Sequence, residues 1–148
     1  MPIRRLIVAC LLLLSLAAPA WPDQPVIYAV NGQAIGGYDA VAYFTEGKAE
    51  KGLPQHKVMW HGATWYFASQ KNREAFEANP RAYAPRYGGY CAYGMSLGRT
   101  VSGDPTAWSI HEGRLFLVHT AEIRDRWRQD IGTYVARANA HWPKALHD

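Results

Sequence analysis

The sequence predicts an α+β fold: a small single domain with two β-hairpins and segregated helices. Three observations carry this. Two pairs of β-favouring runs are each joined by a glycine-containing turn, a run of helical character follows each pair, and the chain that remains behind an apolar leader is long enough for one core.

The leader comes first. Arg4 and Arg5 form a short positive region, Leu6 to Leu16 is almost wholly apolar, and Ala18-Pro19-Ala20 supplies small residues at a cut site. This is the pattern of a secretory signal peptide over residues 1–20, which makes the expected location periplasmic or secreted. A permanent span needs about 20 predominantly apolar residues, and Pro19, Pro22 and Asp23 interrupt the run too early; no stable membrane span is expected after cleavage. Cys10 sits in a box resembling a lipoprotein site, but the apolar run continues beyond it, so it is assigned to the signal. Residues 21–37 are expected to be an N-terminal extended segment and residues 38–142 a domain with a C-terminal helical extension.

Within the extended segment, Val26 to Val30 favours a strand, and Asn31-Gly32 is turn chemistry, since both residues tolerate positive φ. Tyr38 to Phe44 fits either a first helical turn capped by Asp39 or a strand. Lys57 to His61 and Thr64 to Ala68 are β-favouring runs separated by Gly62-Ala63, a hairpin signal. Ser69 stands where a helix N-cap belongs, ahead of residues 70–78, and Pro80 ends that helix. Tyr90 to Met95 is glycine-rich and aromatic, too short for a long element. Trp108 to His111 and Leu115 to His119, joined by Glu112-Gly113-Arg114, form the second hairpin. Thr120 or Ala121 then opens a helical run through Ile123, Trp127, Ile131, Tyr134, Val135 and Ala138, with Gly132 as the candidate dividing point.

Charge excludes one class of function. The net charge of +4 includes Arg4 and Arg5, and the remaining cations are interspersed with acids rather than gathered into the stripe a nucleic-acid binder presents. Arg124 to Arg128 carries its own acid and reads as a solvated helix face. No nucleophile elbow, paired-histidine metal motif or phosphate-cradling loop is present. A triad of Cys91, a histidine and Asp39 has no local signature, so an enzyme is not supported and no catalytic residue is assigned.

The segment Trp60-His61-Gly62-Ala63-Thr64-Trp65-Tyr66-Phe67-Ala68-Ser69, followed by Phe76, Asn79-Pro80 and Tyr83, resembles the YHS domain. The longer stretch from Tyr38 to Trp142, including Gly88 to Gly94, resembles exported, stand-alone bacterial YHS-domain proteins. The resemblance implies an aromatic hairpin, a helix and an N-P-x-x-Y exit. It also implies an association with metal handling, which in better-described members involves two cysteines. Here Ala42 and Ala68 stand where those thiolates would fall, and a methyl group cannot donate to a metal.

Two expectations for a site follow. Cys91, the sole cysteine behind the signal, lies four residues from Met95; such soft sulfur donors select copper as Cu(I), with an imidazole completing the shell. His61 is the nominated imidazole, with His56, His111 and His119 as other candidates. The alternative is a small-ligand or protein-interaction module without metal, its aromatic pocket built by Trp65, Tyr90 and Tyr93 with Asp39 at the edge. The bland reading of both sets is core packing. The protein partner and oligomeric state are not specified by these residues.

Overall fold

The computed structural model describes residues 22–148, and the signal-peptide expectation lies outside that range. The fold is α+β. Strands β1 (Ala29–Val30) and β2 (Gln33–Ala34) form a hairpin, and β3 (Leu53–Trp60) and β4 (Ala63–Phe67) form another. A parallel pairing of Gln33 with Thr64 joins the two into one sheet of order β1-β2-β4-β3. Strands β5 (Asp104–His111) and β6 (Arg114–Val118) make a separate two-stranded sheet.

All three hairpins turn on the same chemistry. Asn31-Gly32, His61-Gly62 and Glu112-Gly113 each place a residue at φ near +50° ahead of a glycine at φ above +70°. Those are the two positive angles a tight two-residue hairpin turn requires. The turn between β3 and β4 therefore falls one residue earlier than Gly62-Ala63. A turn there would drive Ala63 into the left-handed region, whereas the observed register pairs Ala63 with Trp60 and buries it.

Side-chain caps set most of the helices. The segment from Tyr38 to Phe44, open between helix and strand on sequence, contains the start of α1 (Ala42–Thr45), and the Asp39 carboxylate accepts the N–H groups of Val41 and Ala42 there. Ser69 Oγ accepts from Asn72 N–H at the start of α2 (Gln70–Ala78), and Thr120 Oγ1 accepts from Ile123 N–H at the start of α5 (Ala121–Arg128). Pro80 ends α2 and occupies the first position of α3 (Pro80–Tyr83), where its missing N–H costs nothing. The glycine-rich stretch contains the short α4 (Ala92–Ser96). The C-terminal run breaks at Gln129-Asp130, not at Gly132, which lies inside α6 (Ile131–His141). Asp130 leaves helical geometry at φ −152° and ψ 59°. That break lets Trp127 dock on Phe116, with ring centroids 5.0 Å apart, while α6 turns back to pack along α4.

Two buried clusters result. The first gathers Ile35, Val41, Tyr43, Trp65, Phe67 and Phe76; the second gathers Tyr87, Tyr90, Cys91, Met95, Phe116 and Trp127, among others. Strand β6 joins them. Its period of two sends Leu115 and Leu117 into the first cluster and Phe116 and Val118 into the second, so all four are buried and both faces of the strand are covered. Tyr43 adds a tie, its hydroxyl donating to Pro105 O at 2.7 Å. Residues 22–37 belong to this packing, since Ala34 and Ile35 are fully buried. Among the described residues no helix is long and apolar enough to cross a membrane.

Candidate functional site

A cleft of about 460 Å³ opens along the seam between the two clusters. Five parts of the chain build it. The β3–β4 turn supplies Trp60 and His61, the stretch from α3 to Tyr87 supplies Arg81, Arg86 and Tyr87, and the turn into β6 supplies Arg114. Trp142, just past α6, and the N-terminal strap at Val26 and Ile27 close the remaining walls.

Each aromatic wall is held from behind. Trp60 is half-buried, its ring 5.7 Å from both Trp65 and Phe76 in the first cluster, and its carbonyl accepts the Trp65 indole N–H at 3.0 Å. Its other neighbour is the His61 ring at 4.0 Å. Trp142 lies 6.0 Å from Tyr87 and 6.4 Å from Tyr90. Tyr87 occupies the left-handed region at φ +59°, a conformation costly for a bulky L-residue. Its hydroxyl donates to Asn139 Oδ1 at 2.9 Å on α6, which anchors the ring in that unusual backbone setting. Burial pushes the Tyr87 phenol above its ordinary range, with Arg86 acting in the opposite sense.

The strap is fixed just as locally. Tyr28 N–H donates to Gly88 O, Gln24 N–H to Leu146 O, and the Tyr90 hydroxyl to Pro25 O. A Cβ on Gly88 would lie 1.9 Å from Val26 O, so only glycine permits this approach.

The cleft is electropositive. Arg81, Arg86 and Arg114 all line it, and among the described residues none of the three takes part in an ion pair. Guanidinium groups beside aromatic walls suit an anion with a flat apolar part, since they bind carboxylate or phosphate through paired N–H donors.

The residues nominated from sequence are dispersed. His61 lines the cleft, whereas Cys91 and Met95 lie in the second cluster at 1% and 0% exposure. The Cys91 thiol accepts N–H groups from Gly94 at 3.3 Å and His119 at 3.2 Å, so it caps α4 and pins the end of β6. Burial pushes its pKa up, partly offset by those hydrogen bonds. The His119 ring turns instead to Ser102, with Nδ1 2.9 Å from Ser102 O. Among the described residues no three of His, Cys, Asp and Glu converge as a metal site would require. Asp39 and Trp65 lie in the first core region, fully buried or nearly so, Tyr90 is buried in the second, and Tyr93 packs on Tyr134 at 5.2 Å. None of these four lines the cleft.

Sequence reasoning passed over Arg81, Arg86, Arg114 and Trp142. The available signal was Arg86-Tyr87-Gly88-Gly89, where a cation and a ring precede two glycines. Nothing local, however, brings position 114 or 142 to that loop.

An aromatic hairpin, a capped helix and a proline-led exit turn, built on by a second hairpin and helices, define a small α+β domain. Residues 41–87 match the family model described as YHS domain. No curated protein and no solved structure matches the chain. The matched stretch ends at Tyr87, so the cleft is shared between that stretch and the segments outside it that supply Val26, Ile27, Arg114 and Trp142.

Proposed function

We propose that this protein is an exported YHS-domain binding or accessory protein whose site is the cleft between the two cores, and that the cleft takes a small ligand with a flat apolar part. One observation carries this: a hollow of about 460 Å³, within the few-hundred-Å³ size usual for small-molecule sites, walled by Trp60, Tyr87 and Trp142. The charged and polar groups at its edge supply orientation. The first twenty residues support export, and mass measurement of the exported protein is expected to place its N-terminus near Trp21.

Nuclear magnetic resonance tests the site. Titration with a panel of small aromatic compounds, neutral and anionic, is expected to move the indole signals of Trp60 and Trp142 and to leave Trp127, buried in the second cluster, in place. Shifts spread evenly over the molecule, or none from any compound, would contradict the cleft as a site.

A soft metal such as copper, held by Cys91 and Met95 without His61, which lines the cleft instead, is a second reading. Its support is that both sulfur residues belong to one short helical segment in one cluster, together with the metal association that the YHS resemblance implies. It requires Cu(I) affinity to fall in a Cys91→Ser, Met95→Leu double variant. A cleft that binds an organic ligand, with Cys91 serving as a cap, leaves that affinity unchanged.

A further inference from the structure

Resting on the cleft as the ligand site, we propose that its natural ligand is an elongated aromatic dianion, with one anionic group in the cleft and a second in the adjoining hollow between Arg81 and Arg114. The cleft does not end at its arginines. Arg81 and Arg114 also line a hollow of about 380 Å³, together with Asn79, Ala82 and Gly113. Arg86 and Arg114 line another of about 400 Å³, beside Glu112 and His111. Arg114 thus stands where all three meet, with Arg81 and Arg86 to either side.

Three guanidinium groups lining neighbouring hollows repel one another, and a bound anion relieves that repulsion. The two side hollows differ in what they offer. The one beside Arg86 contains the Glu112 carboxylate, which repels an anion and competes for the guanidinium groups. The one beside Arg81 contains no acidic residue, and Asn79 adds a neutral amide that can donate. A second anionic group is therefore accommodated beside Arg81, while the aromatic part lies against Trp60, Tyr87 and Trp142. A monoanion would leave the Arg81 side of the site unmatched.

The test compares terephthalate and the dicarboxylates of naphthalene and biphenyl with their own monomethyl esters, which keep the ring and lose one charge. Affinity is measured by calorimetry on the mature protein at low ionic strength. At least one diacid is expected to bind tenfold or more tightly than its monoester. Arg81→Gln is expected to bring that ratio close to one, weakening the diacid more than its monoester. Arg137→Gln, an exposed arginine on α6 that lines none of the three hollows, is expected to keep the ratio. If diacids and monoesters bind alike, or if the preference survives Arg81→Gln, the dianion inference is overturned while the aromatic cleft stands. If no compound binds, both fall.

Discussion

At the scale of single residues, Asp39 is the most heavily hydrogen-bonded side chain among the described residues. It is fully buried, and its two oxygens accept from Val41 N–H, Ala42 N–H, Ala68 N–H and the Asn72 side-chain amide, at 2.8 to 3.1 Å. One carboxylate thus ties the start of α1 to the end of β4 and to α2. Ala42 and Ala68, the positions at which the YHS resemblance places two cysteines, are both held by it through their backbone. Removing the carboxylate leaves several buried donors without a partner, so Asp39→Ala is expected to cost roughly 3–5 kcal/mol in chemical denaturation. The capping part of this role was legible, because aspartate ahead of a short helix is a local signal. Its reach to Ala68 and Asn72 was not, since those contacts span 29 and 33 residues. Cys91 follows the same logic. Its buried, hydrogen-bonded thiol is expected to react with a thiol-exchange reagent at the rate of unfolding, giving one reactive thiol per mature chain, cleaved behind residue 20, in denaturant and almost none in native buffer. Rapid native labelling would contradict the capping role.

At the scale of elements, the turns and most helix starts were readable because their causes are local. Positive φ followed by glycine makes a hairpin turn wherever it occurs, and Ser69 and Thr120 cap helices by bonds three residues long. Gly132 misled because glycine weakens a helix without fixing where it ends. The actual break at Gln129-Asp130 goes with the docking of Trp127 on β6 and of α6 on α4, which are tertiary events. The glycine pair after Tyr87 exposes the same divide. Gly88 and Gly113 both sit at positive φ, but an added Cβ meets Val26 O at Gly88 and open space at Gly113. Gly113→Ala is therefore expected to cost about 1 kcal/mol, from backbone strain alone. Gly88→Ala adds a backbone clash, is expected to cost at least twice as much, and displaces the strap that walls the cleft. Equal losses in thermal denaturation would show that the strap yields without cost.

At the scale of the whole molecule, the α+β class was legible from the order of hairpins and helices, whereas the two-core arrangement was not. Burial of β6 on both faces depends on which segments cover it, and the cleft exists because two cores meet along a seam. Aromatic richness in the middle third pointed to a pocket or a core without distinguishing them. Trp65 proved to be core and Trp60, five residues away, a cleft wall. The same burial sets the response to alkali. Burial holds the phenols of Tyr43, Tyr87 and Tyr90 above their ordinary value of 10.0, so the folded state retains protons that the unfolded chain releases. Stability is then fully present below pH 10 and declines as pH rises above it. Tyr43→Phe is expected to flatten that decline in melting temperatures measured from pH 8 to 11, at some cost from the lost hydrogen bond to Pro105.

The most direct measurement is of contact between protons of a bound aromatic dicarboxylate and those of the protein, read as nuclear Overhauser effects. Cross-peaks to the rings of Trp60, Tyr87 and Trp142 together, from one bound molecule, are the expected result. Cross-peaks elsewhere in the protein with none to these three rings would contradict the cleft as the binding site.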